Sequence, residues 1–350
     1  MLSFVERCRV VVSRLICRED LSADEVEGLL GLVFSGTRSE LTVEESVLLA
    51  SFLTVLMSKG VTVQELVGAA RSLRYHACRI QVIGSPVVDI VGTGGDSLNT
   101  INVSTTSAFV LAGAGVVVAK HGNRAVSSRS GSADVLEACG VNLGLLPERV
   151  EELIAEIGIG FLFAQQFHPA MRRVASLRKY LGIRTLFNLL GPLTNPAGAG
   201  CVLLGVYEPR LTEVFAGVLK ELGCKRVMVV YGYDGMDELT ITTQSRVTQY
   251  FDGQFKTYDF FPELYFGGEL AKMEDLRGGD ANENAKILRG ILDGTIKGSK
   301  RNIVLLNSAA ALFCAEKTKS IEEGIKIANE SINSGNALNK LELMIRKSKT

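Results

Sequence analysis

Apolar residues recur every three or four positions through the first seventy residues, which is the spacing of helices that bury one face. Three Ser/Thr-x-x-Glu boxes, formed by Ser22 with Glu25, Thr42 with Glu45 and Thr62 with Glu65, mark helix starts, because each satisfies two unpaired N–H groups. Gly36 and Gly60 stand where helices end. The pattern predicts a small helical bundle. The helix after Thr42 is expected to bury a stripe of Val43, Val47, Leu48, Phe52, Val55 and Leu56.

From Val87 onward, short apolar runs alternate with helix-like segments. The strand-like runs are VVDIVG, VVVAKHG, IGFLFA, CVLLGVY and RVMVVYG, and the helix-like segments include 132–139, 147–157 and 210–222. This alternation predicts an α/β domain with a mainly parallel central sheet flanked by helices. After Asp237, the closely spaced runs TITT, RVTQYF and FKTYDF predict antiparallel additions. The tail is predicted to be helical, with helices that begin at Asp280 and cover 303–315 and 321–334.

Composition excludes several classes of protein. The 350 residues suffice for two domains, and 38 basic against 38 acidic residues predict neither a nucleic-acid surface nor a membrane surface. Seven scattered cysteines without a C-x-x-C pair fit reduced thiols in the cytoplasm. The longest apolar run, 108–119, is too short to span a bilayer, and the charged N-terminal segment does not resemble a signal peptide.

The stretch DIVGTGGDSLNTINVST, residues 89–105, places three glycines and several hydroxyl and amide side chains directly after an expected strand. Such loops bring backbone N–H groups close to a phosphate. No lysine follows as in a P-loop, and Ser97 stands where the dinucleotide fingerprint has its third glycine. The alternative is a plain tight turn between a strand and a helix.

A second candidate loop, KHGNRAVSSRSGSAD, occupies residues 120–134 and supplies cations and hydroxyls before a helix start. Ser132 is either a helix N-cap or part of an anion site. Since both loops leave strand ends about thirty residues apart, the pair indicates a ligand with two separated phosphate groups. Adjacent Asp237 and Glu238 follow another strand and are suited to Mg²⁺ bound together with a phosphate, or they form a solvated turn.

Residues 168–196 contain a helical apolar stripe of Met171, Val174, Leu177 and Leu181 on which Arg178 also falls, whereas Arg172, Arg173 and Lys179 point elsewhere. A guanidinium on a buried face needs an anionic partner, which is either an internal carboxylate or a ligand carboxylate. His168 and nearby phenylalanines are candidates for an aromatic-acid pocket. No arrangement typical of a covalent nucleophile occurs, so no catalytic nucleophile is predicted.

Taken together, these elements resemble the anthranilate phosphoribosyltransferase family, which belongs to the nucleoside phosphorylase type II fold group. The matching motifs cover nearly the whole chain: GTGGD (92–96), N-x-S-T (102–105), KHGNR (120–124), SSRSGSAD (127–134), HPAM (168–171), RT-x-FN-x-LGPL-x-NP (184–196), DG-x-DE (234–238), GGDANENA (278–285) and LLNSAAAL (305–312). The resemblance implies transfer of a phosphoribosyl group from its pyrophosphate to the amine of anthranilate, in tryptophan biosynthesis, with Mg²⁺.

The resemblance also implies which residues bind each substrate. The donor, phosphoribosyl pyrophosphate, would be bound by Gly92, Gly95, Asp96, Thr100, Asn102, Val103, Ser104, Thr105, Lys120, His121, Gly122, Asn123, Arg124, Ala125, Val126, Ser127, Ser128 and Ser132. Anthranilate would be bound by Gly92, Asn123 and Arg178, and Mg²⁺ by Ser104, Asp237 and Glu238. Family likeness further implies a homodimer formed through a helical domain of residues 1–74 joined by 172–196, with 75–171 and 197–350 forming the α/β domain.

Three other functions remain open at this stage. A nucleoside phosphorylase of the same fold group would use free phosphate and a nucleobase, and a related transferase would act on another aromatic amine. A regulatory protein that only binds phosphoribosyl ligands would not need the Asp237 and Glu238 pair, which is present. The carboxylate pair and Arg178 favour a Mg²⁺-pyrophosphate donor with a carboxylate-bearing acceptor.

Overall fold

A computed structural model describes residues 3–84, 86–95, 98–125 and 129–349 of the chain. The chain forms two compact units, one of Met1–Arg79 with Ala164–Pro196 and the other of Ile80–Phe163 with Ala197–Thr350. The sequence-based boundaries place residues 75–79 and 164–171 in the α/β domain. The structure groups both segments with the helices, where the Cys78 N–H donates to the Phe167 carbonyl at 2.9 Å.

Both units are built from elements that we number along the chain. The helices are α1 (Phe4–Ile16), α2 (Ala23–Phe34), α3 (Val43–Lys59), α4 (Val63–Tyr75), α5 (Val103–Gly113), α6 (Ser132–Ala138), α7 (Pro147–Ile157), α8 (Ala164–Phe167), α9 (Ala175–Leu181), α10 (Leu186–Leu190), α11 (Leu211–Glu221), α12 (Ala281–Leu292), α13 (Ser299–Cys314), α14 (Ile321–Asn333) and α15 (Asn336–Lys347). The strands are β1 (Val87–Gly92), β2 (Val117–Gly122), β3 (Ile159–Phe163), β4 (Cys201–Gly205), β5 (Arg226–Gly232), β6 (Ser245–Phe251) and β7 (Gln254–Phe260).

The starts of the first helices agree with the sequence. Ser22, Thr42 and Thr62 are the N-caps of α2, α3 and α4, and each forms the complete reciprocal box with its glutamate. Each such cap stabilises a helix by about 1 kcal/mol. Gly60 ends α3 with a φ of 93°, as expected, but α2 ends at Ser35 and not at Gly36.

The apolar stripe expected on α3 is wrong in its first turns. Val43 and Val47 are 83% and 59% exposed, and the buried residues are Leu49, Phe52, Leu53 and Leu56. Apolar residues of α3 occur on most faces of the helix, so its sequence contains two overlapping apolar stripes that could be buried. The neighbouring helix α1, which packs against α3, decides which stripe is buried.

The α/β unit contains a seven-stranded sheet in the order β3-β2-β1-β4-β5-β6-β7. The first five strands of this order, β3, β2, β1, β4 and β5, are parallel, whereas β6 and β7 are antiparallel additions, as the sequence predicts. On one face, Val88, Ile90 and Leu203 join a core with α5 and α13. On the other face, Thr212 of α11 bonds to Thr248 of β6 at 3.0 Å.

The expected strand TITT does not form. Residues 240–243 are a loop, because the hydroxyls of Thr240 and Thr242 both donate to the Asp234 carboxylate. The Thr240 N–H donates to the Ser245 hydroxyl at 3.2 Å, and not to a neighbouring strand. Side-chain acceptors thus replace the backbone partners that a strand would need.

The tail is helical as expected, with α12 capped by Asp280, whose carboxylate accepts the Glu283 N–H at 2.9 Å. One further helix, α15, was not predicted. Within the part of the chain that the structure describes, no helix combines the length and apolar character needed to cross a membrane.

Candidate active site

The predicted donor residues lie at the carboxyl ends of β1 and β2, and the acidic pair lies in the turn after β5. Because these strands are parallel, their carboxyl ends share one edge of the sheet, with Gly92 of β1 in register with Gly205 of β4. Ligands of open α/β sheets bind at this edge. The structure therefore brings both predicted donor loops and the carboxylates to one edge.

Glycines at the ends of β1 and β4 and in the loop after β1 are required, either because the acidic turn lies too close for a side chain or because the backbone has a positive φ. A Cβ on Gly92 would lie 2.3 Å from an Asp237 carboxylate oxygen, and one on Gly205 would lie 1.5 Å from the Asp237 carbonyl. Gly94 and Gly95 have φ angles of 67° and 82°, which favour glycine. The loop can therefore lie directly against the acidic turn. Asp96 lies outside the described residues.

The two carboxylates contact two different parts of the first loop. Asp237 Oδ2 accepts the Gly94 N–H at 2.6 Å, and Glu238 Oε1 accepts the Ser104 N–H at 3.1 Å in the first turn of α5. Both groups thus stand where a phosphate on the loop would be within reach of a bound cation. Among the residues that the structure describes, no cluster of three or more His, Cys, Asp or Glu side chains can hold a metal ion. A cation here would complete its shell with phosphate oxygens and water, as Mg²⁺ prefers.

The acidic turn is held on both sides by buried polar contacts. Asp234 accepts the Met236 N–H at 3.0 Å and organises the turn before the pair. After the pair, Asn307 of α13 accepts the Leu239 N–H at 3.0 Å and donates to the Leu239 carbonyl at 2.9 Å. The backbone around Asp237 and Glu238 is therefore fixed before any ligand binds.

Lys120 of β2 is a buried cation beneath the first loop. It is 4% exposed, and its ammonium donates to the Ile90 carbonyl at 2.6 Å and to Ser104 Oγ at 3.3 Å. Burial lowers the pKa of Lys120, while the charges of Asp89, Glu238 and Asp237 oppose that shift. Its positive charge offsets the acidic pair, and its bond to Ser104 fixes the start of α5.

His121, the next residue of β2, is bonded to Asp89 of β1 through its backbone N–H. Its N–H donates to Asp89 Oδ1 at 3.2 Å, and both side chains are buried. Four of the predicted donor residues belong to the sheet itself, namely Gly92 of β1 and Lys120, His121 and Gly122 of β2. Asp89, whose carboxylate accepts the His121 N–H and whose charge opposes the lowering of the Lys120 pKa, was not singled out from the sequence.

The second loop is closed on itself by Asp134 of α6. The Asp134 carboxylate accepts the N–H groups of Ala125 and Gly131 at 2.9 Å each, and Arg124 donates to it at 3.1 Å. Burial favours the neutral acid, but these bonds lower the pKa of Asp134. Arg124 also bonds to Glu137 at 2.7 Å, so the structure gives this predicted donor residue internal partners.

Ser132 and Asn123 close the base of the same loop. The N-cap of α6 is Gly131, and Ser132 Oγ instead donates to the Asn123 carbonyl at 3.2 Å. The N-cap alternative for Ser132 is therefore wrong. Gly122 has no room for a side chain, since its Cβ would lie 2.3 Å from Ser132 Oγ. Val126, Ser127 and Ser128 lie outside the described residues.

Arg178 lies on α9 in the helical unit. Its side chain is half-buried beside buried Leu177, and burial lowers the pKa of the guanidinium. Among the described residues of that unit, no acidic side chain forms an ion pair with it. This favours a ligand carboxylate over an internal salt bridge as its partner.

Arg173, expected to point away from the apolar stripe, is buried instead. Its guanidinium lies 3.7 Å from Glu45 of α3, and a Cβ on Gly36 would overlap it. The expectation fails because Pro169–Val174 forms a 3₁₀ helix, whose three residues per turn rotate Arg173 onto a different face. Arg172 and Lys179 are exposed as expected.

Sequence reasoning gave no role to four residues that organise the site, of which Asp89, Asn284 and Asn307 are buried and Asp134 is half-buried. Asp89 and Asp134 hold backbone N–H groups of the second candidate loop, and Asn284 and Asn307 hold the first loop and the acidic turn. The two asparagines fall inside the motifs GGDANENA and LLNSAAAL, which mark them as polar residues on otherwise apolar helix faces. Their partners are distant in the chain, so the sequence could not identify them.

Comparison with protein families defines the class. Residues 9–77 match the helical bundle domain of a glycosyl transferase family, and residues 84–338 match the a/b domain of the same family. The two matches correspond to the helical bundle and the sheet-containing unit of this fold. The fold is thus that of a glycosyl transferase family.

Similar individual proteins narrow the assignment. Anthranilate phosphoribosyltransferase of Desulfosudis oleivorans is 49% identical over 97% of this chain and 98% of its own, and that of Syntrophobacter fumaroxidans is 50% identical over 96% and 97%. The Thermus thermophilus enzyme structure matches with a TM-score of 0.89, 43% identity and coverage of 97% and 99%. The Saccharomyces cerevisiae enzyme in complex with PRPP and Mg matches with a TM-score of 0.88, 29% identity and 98% coverage of both chains. The chain belongs to the anthranilate phosphoribosyltransferase family.

Proposed function

We propose that this site transfers the phosphoribosyl group of 5-phosphoribosyl 1-pyrophosphate to the amine of anthranilate, giving N-(5-phosphoribosyl)anthranilate and pyrophosphate. This is the reaction of the family and a step of tryptophan biosynthesis. One observation carries the proposal: the acidic pair contacts both the glycine turn and the first turn of α5, through Gly94 and Ser104. A phosphate on that loop and a cation on the pair would therefore meet.

The donor residues are proposed from this arrangement together with family likeness. The pyrophosphate would bind the glycine turn and the N–H groups at the start of α5, where a helix attracts anions. The second loop, which includes Asn123 and Arg124, would enclose the remainder of the donor. The internal bonds of Arg124 to Asp134 and Glu137 support a role in shaping the loop.

Asp237 and Glu238 would hold Mg²⁺ together with the donor. Their carboxylates fit a hard cation, and Lys120 beneath the loop offsets part of their charge. When bound, the cation would neutralise the negative charge that grows on the departing pyrophosphate. The Mg²⁺ complex of the yeast relative supports this assignment.

The acceptor would be held through its carboxylate. Arg178 has no acidic partner among the described residues of its unit, and Gly92 and Asn123 complete the proposed anthranilate set. The complexes of the yeast relative with 4-fluoroanthranilate support an acceptor of this chemistry. Cleavage at the anomeric carbon passes through an oxocarbenium-like state, and a neutral aromatic amine needs positioning more than deprotonation. The chain would therefore supply anion-binding groups, and the acceptor amine itself would be the nucleophile.

The exposed apolar side chains of the helical unit support a homodimer. Val10 of α1 and Val43 and Val47 of α3 are each more than half exposed, which is costly on a monomer surface. Sedimentation equilibrium should measure about twice the chain mass of 37.7 kDa, and a monomer at micromolar concentration would contradict it. All seven cysteines are free thiols, which supports a cytoplasmic location.

The reaction can be tested with purified protein, the donor, Mg²⁺ and a panel of aromatic amines. We expect anthranilate fluorescence to fall only when the donor is present, and aniline, which lacks the carboxylate, to react poorly. A matched reaction with free phosphate and nucleosides should give no product. Activity in that reaction and none with anthranilate would assign the protein to the nucleoside phosphorylases instead.

A further inference from the structure

The segment 278–285, with the sequence GGDANENA, contacts the first donor loop but has no part in the function proposed above. The residue just before it, Arg277, forms an isolated antiparallel β-bridge with Thr100 of the loop. The Gly278 N–H donates to the Asn99 carbonyl at 2.9 Å. The segment is therefore attached to the backbone that leads into α5.

Asn284 is the buried centre of this contact. It lies in the first turn of α12 and is 3% exposed. Its Oδ1 accepts the Gly279 N–H at 2.8 Å, and its Nδ2 donates to Asn102 Oδ1 at 2.8 Å. Asn102 Nδ2 in turn donates to the Ser130 carbonyl at 3.2 Å. One hydrogen-bonded chain thus joins the segment, the first loop and the second loop.

The direction of every bond in this chain is determined. The Gly279 N–H can only donate and the Ser130 carbonyl can only accept, so both amides between them have one permitted orientation. Because this hydrogen-bonded chain is largely buried, a reversed amide would place two acceptors or two donors against each other without water to separate them. Asn284 therefore fixes the Asn102 amide and, through it, the spacing of the two loops.

We propose that Asn284 is a positioning residue for the phosphoribosyl pyrophosphate donor, acting through Asn102 on both donor loops. The inference rests on the proposed function for the identity of that donor. It assigns to the GGDANENA motif the task of holding the two phosphate-binding loops in register. The inference predicts that disturbing the hydrogen-bonded chain weakens donor binding. Anthranilate binding, which depends on Arg178, should be unchanged.

Asn284→Asp is the sharpest variant because it preserves shape and removes only the donor end of the amide. The new carboxylate still accepts from Gly279, but it repels Asn102 Oδ1 unless that amide turns and loses Ser130. We expect the donor KM, and the donor Kd from calorimetry without anthranilate, to rise at least about tenfold, equivalent to about 1.4 kcal/mol. The anthranilate KM should stay within about twofold.

Gly278→Ala tests the same chain without a change of charge. A Cβ there would lie 2.5 Å from Asn284 Oδ1 and 2.7 Å from the Thr100 carbonyl, so it should also weaken donor binding. Asn282→Asp adds the same charge at an exposed position on α12, and Gly200→Ala adds a methyl group in open space. Both controls should bind the donor as the wild type does.

Each outcome decides between the proposals. Donor binding that Asn284→Asp and Gly278→Ala leave unchanged would overturn the positioning role while the proposed function stands. If Asn282→Asp weakened donor binding as much as Asn284→Asp, the effect would be due to the added charge, and the positioning role would be overturned. If Asn284→Asp weakened the binding of both substrates equally and lowered the Tm, Asn284 would be a structural residue, which would also overturn the positioning role. A wild-type protein that does not bind the donor would refute the proposed function itself.

Discussion

Replacing Arg178 with alanine should raise the anthranilate KM at least about thirtyfold and leave the donor KM nearly unchanged. The guanidinium is half-buried, and no described acidic residue of its unit pairs with it, so a ligand carboxylate is the expected partner. Removing one partner of a desolvated charge pair costs about 2–5 kcal/mol, and each 1.4 kcal/mol corresponds to about tenfold. Steady-state kinetics with each substrate varied in turn would measure the effect.

Lys179→Ala is the matched control, because Lys179 is the exposed neighbour of Arg178 on the same helix and the substitution also removes one positive charge. It should behave as the wild type. Because the carboxylate is remote from the reacting amine, kcat should fall less than kcat/KM in Arg178→Ala. A lower Tm with both KM values raised alike would instead identify Arg178 as a structural residue.

Replacing Asp237 with asparagine and Glu238 with glutamine should lower turnover at least about a thousandfold without unfolding the protein. The loss is large because removing even one preorganised group that stabilises transition-state charge costs about a hundred- to a thousandfold. The fold should persist, since the new amide oxygens can still accept from Gly94 and Ser104. Turnover at saturating Mg²⁺ and the melting temperature would be measured together.

Glu322→Gln serves as the control for loss of a carboxylate, because Glu322 is exposed on α14 and pairs only with exposed Lys326 among the described residues. Its activity and its response to Mg²⁺ should match the wild type. Wild-type protein that keeps full activity in excess chelator would refute the metal assignment, as would full activity of the double variant.

Much of the fold and part of the site follow from the sequence alone. Helix starts at Ser22, Thr42 and Thr62 are encoded within four residues, so no distant contact is needed to place them. The parallel strands are mostly apolar runs, interrupted at Asp89 of β1 and at Lys120 and His121 of β2, and such runs are typical of strands that are buried on both sheet faces. The glycine loop and the acidic pair could be recognised because their chemistry is concentrated in short stretches.

The partners within the site could not be predicted in this way. Gly94 and Asp237 are 143 positions apart, and Asn102 and Asn284 are 182 apart. Their hydrogen bonds exist only because the sheet and α12 bring these segments together. Family likeness named Asn102 and Asp237 as binding residues, but it gave no account of what holds them in place.

The sequence by itself determined the type and order of most of the elements, because capping, periodicity and turn chemistry act over a few residues. Only the tertiary structure decided which stripe of α3 is buried, why the run TITT is a loop around Asp234, and why Arg173 is buried at a 3₁₀ turn. It also decided which buried amides hold the donor loops. Each of these outcomes depends on which surface or polar group the fold places opposite a residue, and local sequence does not contain that information.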